Sequence, residues 1–169
     1  MPSWEKCQKV ISKGLTKIDN APIGSNVDLQ YIGHDTLPVF GYAKVVKAGD
    51  KTLHIGLPLK TGNIFSSDHY VGSLVAYLFQ KNGYDVESGF FIDDTDDMVG
   101  SFNIKPMAEW GPSLETDIRR YHDVLTKQDE PLPNYKYCIK CWGKDQCAYF
   151  DPSASLLDIG EDLRMINRV

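Results

Sequence analysis

Three of the four cysteines fall within ten residues, in the run YCIKCWGKDQC, as Cys138, Cys141 and Cys147, while Cys7 stands near the opposite end. Two residues separate the first pair and five the second, so three thiolates can converge on one centre. A fourth ligand has to come from elsewhere, and Cys7 is the remaining cysteine. Ligation by all four would join the two ends of a 169-residue chain, which constrains every fold in between.

Disulfides are disfavoured, because MPSWEKCQKVISKGL has no apolar signal core and points to a reducing, cytoplasmic setting. A four-cysteine zinc site is one alternative, although zinc more often takes two CxxC pairs than one pair with two singletons. An iron–sulfur cluster also takes four cysteines and tolerates irregular spacing. Spacing alone leaves cluster and zinc open, with inert buried thiols behind both.

A chain of 169 residues forms one domain of ordinary size, here 1–169, with the cysteine knuckle at 134–150 inside it. Hydrophobic residues at 42% and charged ones at 24% describe a globular protein, and no apolar run approaches a membrane span. The net charge of −5 argues against a broad grip on nucleic acid, which shows as a basic excess.

Apolar residues Trp4, Cys7, Val10, Ile11 and Leu15 recur at helical spacing and predict a helix over 3–19. Strand character follows at 27–32, 39–46 and 52–59, divided by Gly33-His34-Asp35 and Ala48-Gly49-Asp50-Lys51, which predicts an antiparallel meander. A helix is expected at 67–82, capped by Ser67 or Asp68, with Val71, Leu74, Val75 and Leu78 as its stripe and Asn82-Gly83 as its stop. Segments 86–92 and 98–104 flank the acidic run 93–97 as a hairpin, and a further helix at 113–127 leads through Pro131 and Pro133 to the knuckle. The tail beyond Pro152 carries Leu156, Leu157, Ile159, Leu163, Met165 and Ile166, enough for a short packed helix. The class is α+β (α/β).

That order, with one cysteine at the start and CxxCx5C at the end, resembles the RecB-like iron–sulfur exonucleases. They include the nuclease domain of AddB and the CRISPR-associated nuclease of spacer acquisition, within the PD-(D/E)XK superfamily. The resemblance runs from Cys7 to Cys147 and is most specific in LETDIRRYHDVLTKQDEPLPNYKYCIKCWGKDQC. It implies a central mixed sheet flanked by helices, with a C-terminal knuckle closed by the N-terminal cysteine. It also favours a 4Fe-4S cluster on Cys7, Cys138, Cys141 and Cys147 over one zinc ion.

The catalytic motifs depart from the family's. There one strand reads Gly-x-hydrophobic-Asp and the next carries an acidic residue, one residue, then Lys; the carboxylates hold a divalent metal and the lysine steadies developing charge. Here GYAKVV puts Lys44 at the aspartate position, and GLPLKTG keeps Lys60 but puts Pro58 at the acidic one. Of the helical Gln and the Tyr four residues later, Tyr77 remains and Ser73 replaces the Gln. Neither Lys44 nor Pro58 offers the side-chain oxygen that a hard cation needs. The resemblance therefore implies a pseudonuclease whose old site holds two cations, Lys44 and Lys60, able to meet a phosphate of single-stranded DNA or a DNA end.

Smaller signals have ordinary readings. His34-Asp35 reads as a polar turn with Asp35 as acceptor, Asp68-His69 as a helix opening, His54 as a solvent-facing strand residue, and His122 as exposed. The acidic run 93–97 lacks the spacing of a calcium loop and reads as a hairpin tip. Arg119, Arg120 and Lys127, with Lys136, Lys140 and Lys144, form the basic concentration, interleaved with Tyr135, Tyr137, Trp142 and Tyr149. Those rings shield a cluster; Lys140, Trp142 and Lys144 are also candidates for stacking and binding nucleic acid. Two alternatives to a non-catalytic DNA-binding or adaptor protein are open. One is an active exonuclease with Asp35, Asp68 or Glu87 as migrated ligands. The other is a regulator or inhibitor that docks on a protein partner of a nucleic-acid machine.

Overall fold

Alternation of apolar and polar residues between two turns builds the centre of the molecule. The computed structural model describes residues 4–59 and 63–126. They belong to the first of two units into which the chain divides, Met1–Leu125, with Thr126 opening the second. Helix α1 spans Trp4–Asn20, and strands β1 (Asn26–Gly33), β2 (Phe40–Lys47) and β3 (Thr52–Pro58) follow it. Helix α2 (Ser66–Lys81) leads to β4 (Asp85–Ile92) and β5 (Met98–Phe102), and α3 covers Met107–Leu125. The strands form one mixed sheet in the order β1-β2-β3-β4-β5. The first three make the expected antiparallel meander, β4 runs parallel to β3 after the α2 crossover, and β5 returns antiparallel. The class is α+β, a five-stranded mixed sheet with flanking helices.

Burial alternates along β2 and β3, so Ala43, Val45, Leu53, Ile55 and Leu57 enter the core. Lys44, Val46, His54 and Gly56 therefore face the other way. Helix α2 closes the core side with Val75, Ala76, Leu78 and Phe79. It comes close at Gly41, where an added Cβ would lie 2.7 Å from Val75 Cγ2. Val71, expected in the apolar stripe, is 48% exposed, because the buried arc is centred on Val75 and Phe79 and includes Gly72 instead. The helix also begins one residue early: Phe65 is its N-cap, and Asp68 accepts the Phe65 N–H at 2.7 Å. After Asn82, Gly83 at φ 88° takes the left-handed conformation that ends the helix.

Helix α1 lies against β1. Ile18 is fully buried in the core, Gly14 meets the Tyr31 backbone, and Ile11 fills the space beside Gly33. An added Cβ on Gly14 would stand 3.5 Å from the Tyr31 carbonyl oxygen. So narrow a contact buries Ile11 and Ile18 but leaves Val10 exposed, although Val10 belongs to the expected apolar face. At the C-terminal end Lys47 Nζ donates to the Asp19 carbonyl at 2.9 Å, a cation where the helix dipole favours one.

Helix α3 starts six residues before the expected position 113. Gly111-Pro112 looks like a break in sequence, yet Trp110 and Leu114 on either side are both buried in the core and hold the helix through it. Trp110 Nε1–H donates to Gln80 Oε1 at 3.0 Å, which ties α3 to α2. Among the described residues, no helix is long and apolar enough to cross a membrane.

Candidate functional site

The sheet face turned away from α2 carries Lys44 and Pro58, two of the positions singled out by the sequence motifs. Lys44 pairs in register with Gly56, and Pro58 follows two residues later on the same face of β3. Lys44 and Pro58 are thus neighbours across two strands. Beside them runs a groove of about 310 Å³, lined by Asn26, Asp28, Lys44, His54, Phe90 and Asp96 among others. His54 is part-buried rather than solvent-facing, its Nδ1 hydrogen-bonded to Ser88 Oγ at 2.6 Å. Glu87 Oε2 stands 3.9 Å from His54 Nε2.

Lys44 does not stand as an unpaired cation, because its Nζ donates to Asp96 Oδ1. Asp96 belongs to the acidic hairpin tip, which is ordered by its own bonds. Asp93 Oδ1 accepts the Thr95 N–H at 2.9 Å, the Thr95 hydroxyl at 2.7 Å and the Asp97 N–H at 3.0 Å. The Thr95 hydroxyl bond and these backbone N–H bonds hold the Asp93 carboxyl below its ordinary range. Asp96 itself has φ 67°, a left-handed conformation that aspartate tolerates better than most residues.

Tyr77 is on the other side of the sheet, buried where α2 meets α3, so it does not join Lys44. It belongs to an ionic cluster that local sequence signals did not reveal. His34, expected in a polar turn, has a side chain with no solvent exposure. Its Nε2 lies 3.0 Å from both carboxylate oxygens of Glu115 on α3. Its Nδ1 accepts the backbone N–H groups of Thr36 at 3.2 Å and Leu37 at 3.1 Å, and Lys81 Nζ lies 2.8 Å from its Nε2.

Glu115 gathers further donors: the Tyr77 hydroxyl at 2.8 Å, Lys81 Nζ at 3.0 Å and Arg119 at 3.1 Å. Burial pushes its carboxyl up, but the bonds from His34, Lys81 and Tyr77 outweigh this and hold it down at about 2. Lys81 also pairs with Asp35 at 3.3 Å. Burial would lower the Lys81 ammonium, and the bonds to Glu115 and Asp35 raise it instead. Burial and the bond to Glu115 both raise the Tyr77 phenol. With its acceptors filled by donors and its histidine enclosed, the cluster is built to hold α2, α3 and the end of β1 together. The one sequence hint was the spacing of Tyr77 and Lys81, four residues apart on one helix face.

The candidate substitute carboxylates are dispersed. Asp35 is with Lys81, Asp68 caps α2, and Glu87 is near His54. Among the described residues no three His, Cys, Asp or Glu side chains are grouped to hold a metal ion. His122, expected to be exposed, is part-buried beside Asp123. Cys7 is half-buried on α1 and opens on a hollow of about 230 Å³ lined by Lys6, Val10, Ile11, Tyr31 and Phe40. Lys60, Cys138, Lys140, Cys141, Trp142, Lys144 and Cys147 lie outside the described residues, as do the knuckle and the tail from Pro152.

No protein family, curated protein or solved structure matches the chain.

Proposed function

We propose that this protein is an iron–sulfur-stabilised pseudonuclease of the RecB-like PD-(D/E)XK type, which binds nucleic acid and does not cut it. The observation that carries this reading is Lys44. By the resemblance it stands where the metal-binding aspartate is expected; it lies on the grooved face of β2, and Pro58, at the position expected for the second acid, is on the adjacent strand. A cation there repels a divalent metal and attracts phosphate. The order helix, meander, helix, hairpin, helix supports the family assignment, since the resemblance rests on that order. Cys7, Cys138, Cys141 and Cys147 would hold the cluster, whose contribution is structural.

The test is binding of a labelled single-stranded DNA to the full chain across a salt series, beside a digestion assay with magnesium or manganese. Expected are binding that weakens steeply with salt and no loss of DNA length. Lys44→Gln should weaken binding. Metal-dependent digestion abolished by Lys60→Ala would replace this reading with an active exonuclease. Negligible affinity for DNA, with a stable complex to a protein partner, would replace it with a docking regulator.

A further inference from the structure

The contact between Lys44 and Asp96 joins the groove to a hairpin tip 52 residues further along the chain. Three features distinguish it from a chance surface pair. Both residues line the same groove. The tip is fixed from within by Asp93, whose carboxylate takes three donors from Thr95 and Asp97. Asp96 is held at φ 67°, a conformation costly for most side chains, and its carboxylate reaches the Lys44 ammonium from there.

Resting on the nucleic-acid reading above, we propose that Asp96 is a built-in competitor: the β4–β5 tip holds a carboxylate where a backbone phosphate would meet Lys44, and nucleic acid binds by displacing it. The chemistry of the exchange is simple. A carboxylate and a phosphate oxygen are both acceptors for the same ammonium donors, and no covalent bond changes. Lys44 is 39% and Asp96 60% exposed, so the pair is weak enough for a polyanion to open. The acidic tip then sets a threshold, so that single isolated anions do not occupy the groove while a strand with several phosphates does. In the resting state Lys44 contributes little net attraction, which matches the acidic balance of the whole chain.

The experiment compares the full-length protein with Asp96→Asn, Asp94→Asn and Lys44→Gln, using a labelled single-stranded DNA of about 16 nucleotides across a salt series. Asparagine also accepts the left-handed conformation, so Asp96→Asn removes charge without forcing the turn. Asp94→Asn removes the same charge from the same tip and leaves the Lys44–Asp96 pair in place. Expected for Asp96→Asn is tighter binding by roughly fivefold and a log–log salt slope steeper by about 0.7, as a released lysine meets one more phosphate. Asp94→Asn should give clearly less of both. Equal gains in the two asparagine variants would show a diffuse charge effect and overturn the competitor. So would no gain in Asp96→Asn when Lys44→Gln still weakens binding, an outcome that leaves the nucleic-acid reading standing. Binding by none of the four proteins overturns both.

Discussion

Glu115 on α3 receives His34 at the end of β1 through both of its carboxylate oxygens, each 3.0 Å from Nε2. The two residues are 81 positions apart, and the contact is reinforced by Tyr77 and Lys81 from α2. One carboxylate thus gathers three elements at one point of the fold.

The Glu115 carboxyl is held at about 2 against an ordinary 4.5, which fixes the sign of a pH effect. A depressed carboxyl contributes its stability above the unfolded value and loses it as pH falls towards the folded one. Denaturant midpoints should therefore drop between pH 4.5 and about 2. Glu115→Gln should be less stable at neutral pH and should flatten that part of the profile. Asp19, Asp35 and Asp93 are also held low, so some acid sensitivity should remain in the variant. An unchanged profile in Glu115→Gln would remove the cluster from the account of acid stability.

His34→Ala should cost about 2–4 kcal/mol in urea denaturation, because it strips a buried partner from Glu115 and leaves the Thr36 and Leu37 N–H groups without their acceptor. A loss typical of an exposed turn, within about 0.5 kcal/mol, would restore the polar-turn interpretation.

The closeness of α2 to β2 gives a packing test. Gly41→Ala should destabilise by about 1–3 kcal/mol, since its new Cβ would stand 2.7 Å from Val75 Cγ2. In a Val75→Ala background the same substitution should cost less, by about 1 kcal/mol, in a double-mutant cycle. Strict additivity would mean that the clash relaxes elsewhere.

Metal analysis of freshly purified protein should find about four iron and four sulfide per chain, with visible absorption. Cys7→Ser should lose the metal and be poorly soluble. One zinc without sulfide would break the link to the iron–sulfur nucleases. A metal-free Cys7→Ser protein as heat-stable as the parent would remove the structural role assigned to the centre.

Element types were legible because hydrophobic period decides them locally. Alternation through Ala43, Lys44 and Val45 gives β2 and its two faces, and Gly83 marks the end of α2. What local pattern could not supply was the meeting of distant charges. Gly33-His34-Asp35 looks like an ordinary turn until Glu115 arrives, and the acidic tip looks merely solvated until Asp96 meets Lys44. The start of α3 is hidden from local pattern for a related reason: tertiary packing of Trp110 and Leu114 overrides the local cost of Gly111-Pro112. The two faces of the sheet also separate Lys44 from Tyr77, which motif spacing alone would have grouped.

The packing of α1 on the Tyr31 backbone bears on self-assembly. Filaments grow by adding strands to the borders of a sheet, and on β1 the Tyr31 backbone lies against Gly14 of α1. A strand arriving along β1 at Tyr31 would meet α1 first, so this stretch of β1 is a poor template for pairing with another copy.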